Sequence, residues 1–158
     1  MSAPAGTARI MHGDSNSLTQ FNDNAVVGLG QEREWKILPT GAGDGNSVVI
    51  MLKDDSGEDK CLTLDSQSGD SDGINILVRP LESPPRPEQM WTIEDAIMQP
   101  RFPPIVHGRI QSCAKKNCSA TIGGMVPLPR IFMNVAAVPH DDGDMDRFRW
   151  RIDYLSME

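Results

Sequence analysis

The sequence has few aromatic residues, no excess of positive charge and no long apolar run. Aromatic residues make up only 5% of the 158 residues, which leaves few rings for stacking on a ligand. Acidic residues outnumber basic ones by 22 to 15, so the formal net charge is −7. Nucleic acids and anionic membrane surfaces attract basic patches, so neither is expected to be the main partner.

The absence of apolar runs also bears on localisation. No uninterrupted apolar stretch reaches about 18 residues, which predicts no transmembrane helix and no membrane insertion. The first residues, MSAPAGTARIMHG, lack a basic stretch followed by an apolar one, and this predicts a cytoplasmic protein. An unconventional route of secretion is left open, and the sequence does not indicate an oligomeric state.

Cysteine is scarce as well, with Cys61, Cys113 and Cys118 as the only three. An odd number of cysteines without a secretory signal predicts reduced thiols. The segment CAKKNC could still close a small hairpin disulfide between Cys113 and Cys118 under oxidising conditions.

No window of helix length repeats apolar residues with a helical period, although MWTIEDAIM could form a short helix between Pro87 and Pro100. Short runs rich in Val, Ile and Thr instead alternate with polar residues, which is typical of half-buried strands. Clusters of Gly, Pro, Asp, Asn and Ser separate these runs, as turns do.

The three tryptophans indicate an internal repeat. Trp35, Trp91 and Trp150 are 56 and 59 residues apart, and each is followed two residues later by isoleucine. Alignment on them places four strand-like runs in each of three segments. The runs are ARIM, SLTQF, AVVGL and EWKIL; SVVIMLK, KCLTL, INILVRPL and MWTIE; and IVHGRIQ, CSATIGG, RIFMNVAAV and FRWRID.

Twelve short strands in three fourfold units predict an all-β fold, the β-trefoil. We expect a single domain over residues 1–158, with repeats at about 7–44, 45–103 and 104–158. One unit cannot bury its apolar face alone, whereas three units around a pseudo-threefold axis can, and they also close most sheet edges. Each tryptophan is expected to fill an equivalent place in the core.

The segment KCLTLDSQSGDSDGINILVRPLESPPRPEQMW resembles a ricin B-type trefoil repeat. It has the Cys-Leu strand, the Asp-Gly turn, the Ile-rich strand, the proline and the Gln-x-Trp end. The resemblance implies a sugar site with an acidic residue two places after the cysteine, a ring before the proline and Asn-Gln before the tryptophan. Those positions hold Thr63, Arg79 and Glu88-Gln89 here. Only Gln89 matches, and it could equally be structural.

The other two repeats depart further from the ricin-type pattern. The third has Ala120 at the acidic position, Val138 at the ring position and Arg147-Phe148 before the tryptophan; the first has Thr19 and no proline landmark. The ricin-type sugar site is therefore expected to be lost. A lectin with an unrelated pocket stays an alternative, with the candidate ligand-binding residues Asp65, Asp72, Arg79 and Gln89.

A second resemblance is to the mushroom trefoil inhibitors of peptidases, of the clitocypin and macrocypin type. The likeness lies in size, acidity and a proline-rich loop before a tryptophan strand, VRPLESPPRPEQMWTI. It implies a fungal inhibitor that binds its target peptidase through variable loops on a rigid scaffold.

Two loops carry residues that suit protein recognition. Arg101 and Phe102 stand between prolines, which stiffen a loop and reduce the entropy lost on binding. Lys115 and Lys116 stand at a hairpin tip, where a basic side chain could enter an acidic specificity pocket. All four are candidates for an inhibitor's reactive site. The alternatives are a linker between repeats and a solvated turn. Phe102 and Phe21 are the rings expected to be most exposed.

Patterns for catalysis or metal binding are weak. HGDSNSL imitates the Gly-Asp-Ser block of a hydrolase family but lacks that family's late Asp-x-x-His, so a hairpin turn is favoured. His107, Cys113 and Cys118 supply no fourth ligand for zinc. We therefore expect a protein without catalytic activity, metal or cofactor that binds a partner through loops. Peptidase inhibition is the first hypothesis, a carbohydrate-binding lectin is the second, and a structural interaction module is the third.

Overall fold

A computed structural model describes residues 3–41, 46–53, 57–65, 73–123, 128–139 and 146–157. In these ranges the chain forms twelve strands, short 3-10 turns at 87–89 and 146–148, and no α-helix. All twelve predicted runs are strands, and MWTIEDAIM is part of a strand rather than a helix. The strands are β1 (Gly6–His12), β2 (Asn16–Phe21), β3 (Asn24–Leu29), β4 (Trp35–Pro39), β5 (Val48–Leu52), β6 (Lys60–Leu64), β7 (Ile74–Pro80), β8 (Trp91–Gln99), β9 (Ile105–Ser112), β10 (Cys118–Ile122), β11 (Phe132–Pro139) and β12 (Arg149–Met157).

Six of the strands close into a barrel. Antiparallel pairs join β1 to β4, β4 to β5, β5 to β8, β8 to β9, β9 to β12 and β12 back to β1. Closure leaves these six strands without a free edge.

The other six strands form three hairpins, β2–β3, β6–β7 and β10–β11. The second strands of these hairpins also pair with one another in a cycle. The cyclic pairs are Asn24 with Leu77, Ile74 with Ala137, and Phe132 with Gly28. A six-stranded barrel capped by three hairpins in a cycle is a β-trefoil, which confirms the predicted fold class.

The tryptophans occupy matching places in this threefold arrangement. Trp35, Trp91 and Trp150 are at most 1% exposed. Each indole donates a hydrogen bond of 3.0 Å to a backbone carbonyl on the first strand of its own hairpin, and the acceptor is the third residue of that strand each time. The three acceptors are the carbonyls of Leu18, Leu62 and Ala120. The predicted equivalence is confirmed.

The isoleucine two residues after each tryptophan has the same physical origin. Alternate side chains of a strand point to one face, so Ile37, Ile93 and Ile152 face the core with the indoles. They are 0%, 5% and 0% exposed. Burial of each such side chain contributes about 1.5–3 kcal/mol. The repeated Trp-x-Ile pattern is therefore a packing pattern.

Candidate functional site

The second repeat contains a hollow of about 240 Å³ between the β6–β7 hairpin and the 3-10 turn that precedes β8. We call it the second-repeat hollow. Three of the four predicted ligand residues line it together, and the fourth, Asp72, lies outside the described residues. Its lining residues are Thr63, Leu64, Asp65, Leu77, Arg79, Glu82, Arg86, Glu88 and Gln89.

Gln89 forms part of the wall of the hollow. Its side-chain oxygen accepts a hydrogen bond from the Glu82 backbone N–H at 3.0 Å. Its amide nitrogen donates to the Pro80 carbonyl at 2.9 Å and to the Thr63 hydroxyl at 3.4 Å. The residue is only 2% exposed. Its amide is committed to the protein, which is the structural role that the sequence had left open.

Both arginines of the hollow form ion pairs. The Arg86 guanidinium lies 3.5 Å from the Glu82 carboxylate and 3.3 Å from that of Glu88. The Arg79 guanidinium lies 3.7 Å from Asp23, at the tip of the β2–β3 hairpin. Exposed pairs of this kind contribute little to stability, about 0–1 kcal/mol each. Their main effect is to fix where the charges stand around the hollow.

Glu88 has a buried oxygen with unused hydrogen-bonding capacity. Its Oε2 atom is buried, and no described residue donates a hydrogen bond to it. The nearest cation is the Nη2 atom of Arg86, at 3.3 Å in an ion pair without hydrogen-bond geometry. Buried polar groups usually have a hydrogen-bond partner, whereas this oxygen has only the ion pair with Arg86 among the described residues.

The strand register corrects one alignment made from the sequence. Ser17, Cys61 and Ser119 each pair with the end of the preceding barrel strand, so they are the true counterparts of one another. The counterpart of Thr63 in the third repeat is therefore Thr121, and the assignment to Ala120 is wrong. The alignment from sequence matched Cys118 with Cys61. In the structure Cys118 pairs with Pro139 as Lys60 pairs with Pro80, so Cys118 is the counterpart of Lys60.

The third repeat shows why its corresponding surface differs. The counterpart of Gln89, two residues before the tryptophan, is Phe148, which is 1% exposed. It packs with Ala136 and Val138, and the register makes these the counterparts of Leu77 and Arg79. An apolar side chain therefore packs on the positions that border the polar hollow in the second repeat.

In the first repeat the counterpart of Arg79 is Gly28. A Cβ atom on Gly28 would lie 2.8 Å from Gln31 Cγ and 3.1 Å from a ring atom of Phe132. Neighbouring side chains thus approach the backbone closely at this position.

Phe132 also packs on Phe21, with ring centroids 5.2 Å apart. Phe21 is half-buried, so its predicted exposure is wrong.

The predicted reactive loops are both at the surface. Phe102 is 85% exposed, and Arg101 is exposed beside it. The Arg101 backbone N–H donates to the Gln99 carbonyl at 2.8 Å, and the Tyr154 N–H donates to the Pro104 carbonyl at 3.2 Å. The loop is therefore held at both ends.

Lys115 and Lys116 are exposed in the turn between β9 and β10. The Ser112 hydroxyl accepts hydrogen bonds from the backbone N–H groups of Ala114 and Lys115, at 3.1 and 3.0 Å. All of β9 separates this turn from the Arg101 loop, a distance of roughly 25 Å at the usual rise per residue. The two loops cannot belong to one reactive site.

None of the three cysteines forms a disulfide bond. Cys61 is fully buried, and burial raises the pKa of its thiol to about 11. Burial also raises the pKa of Cys118.

The Gly-Asp-Ser block forms the turn between β1 and β2, as predicted. The Nε2 atom of His12 lies 2.9 Å from the Arg147 carbonyl oxygen, and the His12 ring packs edge-on against Trp150.

In the part of the chain that is described, no three His, Cys, Asp or Glu side chains group as metal ligands would. Nor do those residues include a helix with the length and apolarity to span a membrane.

Comparison with known proteins reveals likeness in structure alone. No family model matches the sequence. No curated protein is significantly similar to it. The chain superposes on the binding domain of botulinum neurotoxin serotype C1 with a TM-score of 0.67 and 6% identity, covering 98% of this chain and 44% of that one. It superposes on the botulinum neurotoxin DC binding domain, solved with rat synaptotagmin II, with a TM-score of 0.60 and 10% identity over 96% and 43% of the two chains.

The lysenin pore is a further match, with a TM-score of 0.58 and 13% identity over 99% of this chain and 48% of that one. The chain therefore spans less than half the length of each of these proteins. At such identities the likeness is one of fold. It agrees with the β-trefoil and does not single out ricin B-type lectins or mushroom peptidase inhibitors.

Proposed function

We propose that this protein is a non-catalytic binding domain that binds a glycan in the second-repeat hollow. The observation that carries the proposal is the hollow itself, a concave surface lined by carboxylate, guanidinium and hydroxyl side chains. Sugar hydroxyls both donate and accept hydrogen bonds, so such a lining suits them. At about 240 Å³, the hollow is small for a ligand pocket and would take about one sugar unit.

Two further observations support this proposal. The hollow contains the residues that correspond to the sugar site of a ricin-type repeat, although their identities differ. Among the structural neighbours, botulinum neurotoxin type C depends upon interaction with two ganglioside molecules to reach the inside of cells. Function on a shared scaffold resides in its sites rather than in its fold. The neighbour therefore indicates which class of ligand to test first, namely glycans.

A glycan array tests the proposal, with Arg79→Ala as the hollow variant and Arg9→Ala as its control. Arg9 is a similarly exposed arginine, paired with Glu32 at 3.6 Å in the first repeat. We expect saturable binding to one glycan class, about tenfold weaker for Arg79→Ala and unchanged for Arg9→Ala. Absence of binding to any glycan, or equal binding by Arg79→Ala, would contradict the proposal.

Peptidase inhibition is the second candidate, and it is favoured by the loop at Arg101 and Phe102. An exposed aromatic ring beside a basic side chain, on a loop held at both ends, fits a protease cleft at low entropic cost. A panel of serine and cysteine peptidases would be assayed with the native protein, Arg101→Ala/Phe102→Ala and Lys115→Ala/Lys116→Ala. Because the two loops are at opposite ends of β9, only one double variant should lose inhibition. A native protein without inhibition at micromolar concentration would exclude this function.

A further inference from the structure

The turn between β2 and β3 lies against the wall of the second-repeat hollow. A carboxylate oxygen of Asp23 in this turn is 3.7 Å from the Nη1 atom of Arg79, and the Asp23 carbonyl accepts a hydrogen bond from the Val78 N–H at 2.7 Å. The next residue, Asn24, pairs with Leu77. Because Arg79 and Leu77 line the hollow, its surface continues onto a turn of the first repeat.

The side chains at this turn have unused hydrogen-bonding groups. We call Asn22 and Asp23 the first-repeat tip, and both are exposed. The side-chain amide of Asn22 has no hydrogen-bond partner among the described residues. The Asp23 side chain is 55% exposed, and its 3.7 Å ion pair with Arg79 is longer than a hydrogen bond. An amide donates and accepts hydrogen bonds and a carboxylate accepts them, so both groups suit the hydroxyls of a sugar.

The backbone holds these two side chains in place. Asn22 and Asp23 have φ angles of +47° and +66°, and positive φ at both central residues is characteristic of the type I′ hairpin turn. The Asn24 side-chain amide also donates to the Asn22 carbonyl at 3.1 Å. Groups that are fixed before a ligand arrives lose less entropy when it binds. The tip is therefore preorganised for contact with a ligand.

We propose that the first-repeat tip is a second subsite, which binds the sugar unit next to the one in the hollow. This inference rests on the proposed glycan-binding function. The hollow takes about one sugar unit, so the next unit lies on the surface beside it. Elsewhere in the lining Glu82 and Glu88 both pair with Arg86, whereas the tip has an amide without a partner. The complete site selects oligosaccharides over free sugars.

The variant Asn22→Gly/Asp23→Gly tests the second subsite. Type I′ turns accept Gly-Gly, and the backbone carbonyl that bonds to Val78 is unchanged, so only the two side chains are removed. Its control is Asp14→Gly, which changes an exposed residue in the turn between β1 and β2. All of β2 separates this turn from the tip, a distance of roughly 20 Å at the usual rise per residue.

Affinities are measured on an array of glucose, galactose, mannose and N-acetylglucosamine oligomers, each in lengths of one to three units. In the series that the native protein binds, we expect two units to bind about tenfold more tightly than one, because the second unit adds hydrogen bonds to the tip. The glycine double variant should bind one and two units about equally, and Asp14→Gly should keep the tenfold gain. This ratio cancels any effect on the hollow itself, including the loss of the ion pair to Arg79.

Circular dichroism establishes that both variants are folded. Should the glycine double variant fail to fold, nuclear magnetic resonance of the native protein replaces it. Two units, but not one, should then shift the backbone amide signals of Asn22 and Asp23. Shifts that are the same for one and two units would contradict the second subsite.

The outcomes separate the second subsite from the function on which it rests. If the native protein binds glycans without a gain from one unit to two, or if the glycine double variant keeps the gain, the second subsite is wrong and glycan binding stands. Loss of the gain in Asp14→Gly as well would overturn it too, since the effect would not be specific to the tip. If the native protein binds no glycan, the proposed function fails as well.

Discussion

Gln89 and Phe21 are both held by residues that are distant in the chain. The sequence left open whether Gln89 binds a ligand or has a structural role. Its three hydrogen bonds within the protein assign it the structural role. Phe21 is predicted from the sequence to be exposed, yet the ring of Phe132 from a distant strand packs on it. No sequence pattern indicated the buried acceptor of Glu88, since burial of one atom depends on which segments meet around it.

The burial of Cys61 makes the stability of the fold depend on pH, because burial raises the pKa of its thiol. Desolvation by burial is the main cause of its raised pKa, which moves from the ordinary 9.0 to about 11. The Thr63 hydroxyl lowers the pKa and the Glu82 carboxylate raises it further, both by smaller amounts. The fold therefore favours the protonated thiol.

Alkaline pH should weaken the fold through Cys61. Because the folded-state pKa is the higher one, the stabilisation is complete below about pH 9 and is lost as pH rises towards 11. The loss is of order 2–3 kcal/mol. Urea unfolding of native protein and Cys61→Ala between pH 8 and 11 measures it, and the gap between the two free energies should shrink with pH. Burial also raises the pKa of Tyr154, but that effect is present in both proteins. Parallel curves would refute the prediction.

At the scale of elements, strand β8 differs most from what its sequence indicated. Its composition allowed a short helix, but pairing with β9 makes it a strand with a bulge. Glu94 pairs with Arg109 and Ile97 with His107, so two residues oppose Gly108 alone. Asp95, one of the two, has a φ of +54°, and a Cβ on Gly108 would lie 2.7 Å from Ile93 Cγ2. Such a bulge is set by pairing between strands and is not visible in one strand's sequence.

Asp95→Val should destabilise the protein more than Asp95→Asn does. Both variants remove the ion pair to Arg109, which is 3.3 Å long and exposed on the Asp95 side. Valine adds the strain of a β-branched residue at positive φ, about 1–3 kcal/mol, whereas asparagine tolerates that conformation. The difference between the two variants in free energy of unfolding, measured by thermal or urea unfolding, gives the contribution of backbone strain. Asp95→Gly should be about as stable as Asp95→Asn. Equal stability of the valine and asparagine variants would exclude strain at the bulge.

At the scale of the whole molecule, the three indoles tie the barrel to its cap. Each stands on a barrel strand and donates to a hairpin strand of the same repeat. Since the three environments match, no single repeat is distinguished as the anchor of the fold. Each hydrogen bond holds the hairpin of one repeat against the barrel strand of the same repeat.

Trp35→Phe, Trp91→Phe and Trp150→Phe should therefore destabilise the protein by similar amounts. Each change leaves a buried carbonyl without its donor, which costs about 1–3 kcal/mol, and the smaller ring adds a packing loss. Urea unfolding followed by far-ultraviolet circular dichroism gives the three values. Phe102→Leu, at a site 85% exposed, serves as control and should change stability by less than about 0.5 kcal/mol. One neutral tryptophan variant among the three would disprove equivalent roles.

The sequence alone determined the strands, their threefold grouping and the place of the tryptophans in the core. These features rest on alternation within a strand and on a period along the chain, and both are local or repeated patterns that burial imposes directly on composition. Only the tertiary structure decided the register of the third repeat, the bulge in β8 and the second-repeat hollow. Thr63, Arg79 and Glu88 are far apart in the chain and meet because two hairpin strands and a 3-10 turn converge there. Such meetings depend on register and side-chain volume across strands, which no single segment encodes.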